Sequence, residues 1–171
     1  GDLDFAVSSQ VPDEVNIFFG GGLDQFAGPF LLTDQILPSG VSVGDLDQDG
    51  TLDVLVTTDN TTDLEVFLGQ GGGDFLQVEP LSFEGITQNT ATSPVLVDLD
   101  GDGFLDIVTA NFETGILVLL GQGGGQFSTP IVFEAGFALA LQAGDLNGDS
   151  LLDLVVPNGG EDRITVLFSA P

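Results

Sequence analysis

The 171-residue chain contains no cysteine, no histidine, no tyrosine and no lysine, and its one cation is Arg163. Without cysteine, no disulfide frames the fold and no thiolate holds a metal. Zinc is poorly served when neither His nor Cys is present. The same absences remove the common general bases and nucleophiles, so only carboxylates and hydroxyls are left for catalysis. No apolar run approaches the roughly 18 residues of a membrane-spanning helix, and no signal peptide is visible. The chain opens on Gly1 and not on Met, which reads as a mature or excised piece. Against the one cation stand 27 Asp and Glu, a net charge of −26. Such a surface repels nucleic acid and anionic lipid, which need Lys and Arg to neutralise phosphate. Neither is expected as a partner, and membrane insertion is not expected.

What is present is apolar, glycine-rich and periodic. Val, Leu, Ile and Phe dominate an apolar fraction of 42%, and 25 Gly with 8 Pro supply turns. One phrase recurs around Asp4, Asp53, Asp106 and Asp153, at spacings of 49, 53 and 47 residues. A second phrase follows each time, at 16–20, 65–69, 117–121 and 165–169. Six residues beyond Gly20, Gly69 and Gly121 stand Phe26, Phe75 and Phe127, which are expected to pack between repeats. Each unit holds four short apolar runs, at 41–46, 52–58, 64–69 and 75–83 in the second unit, broken by Gly, Asp and Asn. Runs of this length and composition read as strands, and no convincing 3.6-residue period occurs. Four antiparallel strands in a unit of about 50 residues make a β-propeller blade. The fold class expected is therefore all-β, a single repeat array over 1–171.

With the strands of a blade lettered A to D, residues 1–40 supply B, C and D. Residues 41–92 and 93–136 supply two whole blades, and 137–171 supply A, B and C. This gives fourteen strands, about three and a half blades, incomplete at both ends. Two expectations follow: a piece of a longer chain, or end blades completed by neighbouring chains through exposed strand edges.

Between strands A and B lies an acidic nine-residue loop, at 45–53, 98–106 and 145–153. Oxygen-bearing side chains fall at positions 1, 3, 5 and 9, and a backbone carbonyl at position 7 completes a shell for a hard cation. Gly50 and Gly103 at position 6 permit the positive φ of the turn. Eleven of the 27 acids lie in these loops, where they repel one another until a divalent ion reverses that interaction. Six to eight oxygens suit Ca²⁺, and Mg²⁺ demands a tighter octahedron. An EF-hand is excluded, since position 12 is Val56, Thr109 and Val156 and the flanks read as strands.

The loop, the strand after it, and the following strand with its Gly-rich turn resemble FG-GAP and VCBS repeats, the blades of integrin α-chain propellers and of many bacterial surface proteins. The resemblance covers essentially the whole chain. It implies structural Ca²⁺ and an extracellular or cell-surface setting. It also implies ligands at Asp45, Asp47, Asp49, Thr51 (carbonyl) and Asp53; Asp98, Asp100, Asp102, Phe104 (carbonyl) and Asp106; and Asp145, Asn147, Asp149, Leu151 (carbonyl) and Asp153. Two departures stand out. The third loop has neutral Asn147 at position 3 and Ser150 at position 6, so weaker binding is expected there. The first unit enters inside its loop, with Gly1 and Asp4 at positions 6 and 9.

Smaller signals read plainly. The runs at 69–73 and 121–125 are hairpin turns, because strands and not helices follow them. Asn60 heads a glycosylation sequon. Arg163 is expected to pair with Glu161 or another acid. The function expected is a non-catalytic, calcium-stabilised adhesion or scaffold module with a protein or glycan ligand. The alternatives are a subunit that forms filaments through its end blades, and a part of a carbohydrate-active enzyme.

Overall fold

The computed structural model describes residues 3–22, 25–34, 37–59, 61, 63–82, 90–111, 115–160 and 162–169, with side chains at 90–93 left aside. Asn60 and Glu161, and with them the sequon and the Arg163–Glu161 pair, lie outside the described residues. Among the described residues there is no helix, and so none long and apolar enough to cross a membrane.

The described residues form fourteen strands in four antiparallel sheets, each a meander in chain order. The first is β1 (Phe5–Gln10), β2 (Asp13–Gly20) and β3 (Phe26–Asp34). The second is β4 (Pro38–Gly44), β5 (Asp53–Thr58), β6 (Leu64–Gly71) and β7 (Asp74–Gln77). The third is β8 (Thr90–Val97), β9 (Asp106–Asn111), β10 (Gly115–Leu119) and β11 (Ile131–Phe133). The fourth is β12 (Gln142–Gly144), β13 (Asp153–Asn158) and β14 (Arg163–Leu167). These are propeller-like blades of three, four, four and three strands, and no sheet closes on itself.

The register makes the repeat explicit. Phe5 faces Phe18 as Val54 faces Phe67, Ile107 faces Leu119 and Leu154 faces Leu167. Alternate residues of one strand serve two junctions between sheets, because successive side chains point to opposite faces. Val54 and Val56 pack with Val15 and Ile17 of the first sheet, whereas Leu55 packs with Ile107 and Leu117 of the third. Val108 and Ala110 turn the other way, onto Leu154 and Val156. That is why every residue of β5 and β9 is buried and neither strand shows apolar–polar alternation.

Two expectations need correction. The run at 75–83 is not one strand. β7 ends at Gln77; the Val78 amide still bonds the Val66 carbonyl (3.1 Å), and the next pair is Leu81, whose amide and carbonyl bond Leu64. Pro80 lies in the gap and has no N–H to give a ladder. Nor do all three repeating phenylalanines lie between sheets. Phe75 and Phe127 pack at the first and second junctions, but Phe26 is 52% exposed and meets Phe5 edge-on at 4.9 Å. These rings face the preceding sheet, and the first sheet has none before it among the described residues.

The glycine runs are hairpin turns. Gly71, Gly72 and Gly73 join β6 to β7 at φ of 77°, 68° and 95°, and Gly123, Gly124 and Gly125 repeat the pattern. Only glycine takes successive left-handed positions without cost.

Candidate metal centres

Each loop is wound by its own carboxylates. At position 5, Asp49 Oδ1 accepts the Thr51 amide (2.7 Å), Asp102 Oδ1 the Phe104 amide (2.8 Å) and Asp149 Oδ1 the Leu151 amide (2.8 Å). At position 3, Asp47, Asp100 and Asn147 accept the amides of Asp49, Asp102 and Asp149 at 3.0, 3.2 and 2.8 Å. Position 1 reaches across the turn: Asp45, Asp98 and Asp145 accept from Gly50, Gly103 and Ser150 at 3.1, 3.0 and 3.0 Å. The turn needs left-handed backbone twice, at position 6 (Gly50 88°, Gly103 91°, Ser150 72°) and at position 4 (Gln48 65°, Gly101 80°, Gly148 84°). The second requirement escaped the sequence reading. Gln48 is compensated by a hydrogen bond from its Nε2 to the Gly103 carbonyl (2.7 Å), which ties two loops together.

The structure gathers two sets of acidic oxygens within 4.8 Å of one another: Asp45, Asp47 and Asp49, and Asp98, Asp100 and Asp106. In the third loop Asn147 Nδ2 donates to Asp149 Oδ2 (2.9 Å), so a side-chain amide occupies an oxygen that position 3 elsewhere leaves open. Thr51, Phe104 and Leu151 enter the loops through their amides, as above. Thr51 adds a hydroxyl that bonds Asp49 and the Gly69 carbonyl (2.9 Å to Gly69).

Position 9 plays a part that the loop spacing does not announce. Asp53 is fully buried; its Oδ2 accepts the Leu46 amide (2.7 Å) and its Oδ1 the Gly69 amide (2.8 Å). Asp106 does the same with Leu99 (2.8 Å) and Gly121 (2.7 Å), and Asp153 with Leu146 (2.9 Å) and Ser169 (3.0 Å). Each carboxylate thus clamps the start of its loop to the end of strand C, sixteen or fifteen residues on. The one sequence clue was the glycine that closes three of the four strands C, Gly20, Gly69 and Gly121, where the fourth has Ser169. At Gly121 an added Cβ would stand 2.5 Å from the Leu105 carbonyl oxygen.

The donors suit a hard cation. Asp45 Oδ1 is buried and has no hydrogen-bond partner, whereas Asp98 Oδ1 and Asp145 Oδ1 accept the position-4 amides. A buried carboxylate oxygen without a partner is costly unless a charge meets it. Burial raises the Asp53 and Asp106 carboxyls above their ordinary range against the pull of their amides, and neighbouring loop aspartates add to the rise. Asp49 moves the other way, held down by the Thr51 hydroxyl and amide. All donors are oxygens, so these loops would hold a divalent cation of the hard class.

A model of the FG-GAP-like repeat matches residues 1–56, 45–109 and 98–156. Among solved structures, the chain is similar to one described as the structural basis of specific recognition of non-reducing terminal N-acetylglucosamine by an Agrocybe aegerita lectin. Identity is 23% and the TM-score 0.58, over 90% of this chain and 45% of that one. The likeness is therefore one of fold, and the chain spans less than half the length of that protein. No curated protein matches the chain.

Proposed function

The chain belongs to the FG-GAP-like repeat family, and from that premise we propose that it is a non-catalytic binding module, working outside the cell, whose loops close around Ca²⁺. The observation that carries this is Asp45 Oδ1, buried without a partner beside Asp47 and Asp49. Ca²⁺ accepts six to eight oxygens in flexible geometry, which three carboxylates on a tight loop begin to supply. Repeats of this family commonly occur in extracellular proteins, where calcium is abundant enough for sites of about 10⁻⁴–10⁻³ M. The ions hold the sheets together against the net charge of −26. Binding, as adhesion or scaffolding, is then left to the exposed surface. The lectin of like fold makes a glycan the first ligand class to try.

The test is calorimetric titration of chelator-treated protein with CaCl₂ and with MgCl₂. Calcium is expected to bind with heat and raise the melting temperature, the loops at 45–53 and 98–106 filling before 145–153. No heat from calcium, or equal binding of magnesium, would refute it. An array of terminal-sugar glycans then asks for the ligand, and release of cleaved sugar from any retained glycan would overturn the non-catalytic reading.

A second reading, assembly into filaments, draws on the outer faces of the end sheets. Phe5 and Phe26 on one, and Ile164 and Val166 on the other, are exposed large apolar groups. Particle length that grows with protein concentration would favour it.

A further inference from the structure

We propose that the first sheet is an acceptor for one more strand and its loop: an extended segment ending in Asp-Leu-Asp, with the chemistry of residues 42–47. Three separate features of the first sheet call for the same occupant. The first is an edge. β5, β9 and β13 each lie between two strands, but β1, their counterpart, pairs among the described residues only with β2. An open edge of this kind takes an added strand through main-chain hydrogen bonds.

The second is a cavity of about 230 Å³ between the first two sheets, lined by Leu3, Ala6, Ile17, Phe19, Val54 and Phe75 among others. At the next junction the corresponding space is filled from both sides. Leu46, second residue of its loop, and Phe127, from the turn of the following repeat, pack into one cluster with Leu55 and Ile107. At the third junction Leu99 takes the leucine's place. The fourth sheet has no sheet after it among the described residues, and there Leu146 is 54% exposed. At the first junction Phe75 is in position and no described residue stands where Leu46 and Leu99 stand in theirs. The cavity at the third junction, also about 230 Å³ and lined by Leu99, Leu154, Leu167 and Phe168, has the complementary cause. There the leucine is present, and the three-stranded fourth sheet has no strand to carry a counterpart of Phe75.

The third is half a clamp. Asp4 Oδ1 accepts the Gly20 amide at 2.7 Å, as Asp53 accepts that of Gly69. In Asp53, Asp106 and Asp153 the other oxygen accepts the amide of the loop leucine, Leu46, Leu99 or Leu146. Asp4 Oδ2 meets no donor among the described residues, and Asp4 is exposed where its three counterparts are fully buried. One incoming leucine therefore meets two needs at once, its side chain filling the cavity and its amide completing the clamp. The strand before it lies along β1. The occupant is a free strand and not an intact second copy, because β4, β8 and β12 are already paired within their own sheets. No cation enters this recognition, so it stands or falls apart from the calcium reading.

The test uses a labelled synthetic peptide, Val-Ser-Val-Gly-Asp-Leu-Asp-Gln-Asp-Gly, in calcium-containing buffer. Binding is read by fluorescence anisotropy and located by amide hydrogen exchange. The peptide is expected to bind and to slow exchange in β1. Aspartate in place of its leucine should weaken binding about tenfold or more, since a buried leucine is lost. Ala6→Leu, which fills the cavity from inside, should abolish binding without lowering the melting temperature. Equal binding of the two peptides by the wild-type protein would overturn the proposal, and so would no binding or protection confined to β14. Protection of β1 that appears on raising protein concentration alone, without peptide, would overturn it in favour of a second copy.

Discussion

Asp45→Asn should change the sign of its effect with calcium. In chelator, Asp45 is half-buried, with one oxygen held by the Gly50 amide (3.1 Å) and the other, itself buried, without a partner. An asparagine turned with its oxygen to Gly50 keeps that bond and puts an NH₂ group where the orphan oxygen was, facing Asp47 and Asp49. Relief of like-charge repulsion and of an unpaired buried oxygen is worth about 1 kcal/mol, near the low end for such groups. For a chain of this length that raises the melting temperature by about 2–4 °C. In calcium the balance reverses. A site at 100-fold saturation adds about 2.7 kcal/mol, and loss of a charged ligand removes most of it. Set against the gain of about 1 kcal/mol, a net loss of about 1.5 kcal/mol remains, and the variant should melt about 3–6 °C below wild type. Far-UV circular dichroism melts of both proteins, in calcium and in chelator, decide it. Destabilisation of equal size in both conditions would refute the reasoning, because Asp45 would then be a structural residue with no cation to serve.

The clamp predicts the opposite pattern: Asp106→Ala frees the Leu99 and Gly121 amides and should cost about 3 kcal/mol by denaturant titration, with and without calcium. A loss seen only in calcium would make Asp106 a ligand alone. Ser150→Gly should stabilise by about 1 kcal/mol in chelated melts, since Ser150 sits at φ 72° where glycine is unstrained. No gain would mean that the Ser150 conformation costs nothing. In chelator, stability should rise as the pH falls from neutral towards the ordinary carboxylate range. Asp53 and Asp106 are held above that range by burial, so the folded state binds their protons more tightly; the penalty is complete above the raised values and relieved as pH drops through them. Calcium should flatten this dependence, and a chelated protein that loses stability over the same interval would contradict it.

Much of this molecule is written in local spacing. The four-strand period, the fourteen strands and the acidic loops can be read because turn chemistry and strand pattern depend on residues a few positions apart. Position 6 of the loop was legible for the same reason, since Gly50 and Gly103 mark a left-handed turn. Position 4 was not, because Gln48 accepts that conformation only with help from Gly103 of the next repeat.

What the tertiary structure alone decided depends on contacts far along the chain. Asp53 looks like one loop acid among four until strand C brings the Gly69 amide onto it. Phe26 and Phe75 each stand six residues beyond the glycine that closes strand C, yet among the described residues only Phe75 has a sheet to pack against. Pattern names the face that a side chain turns to; whether that face is buried, and what gap it leaves, is set by the neighbouring sheet.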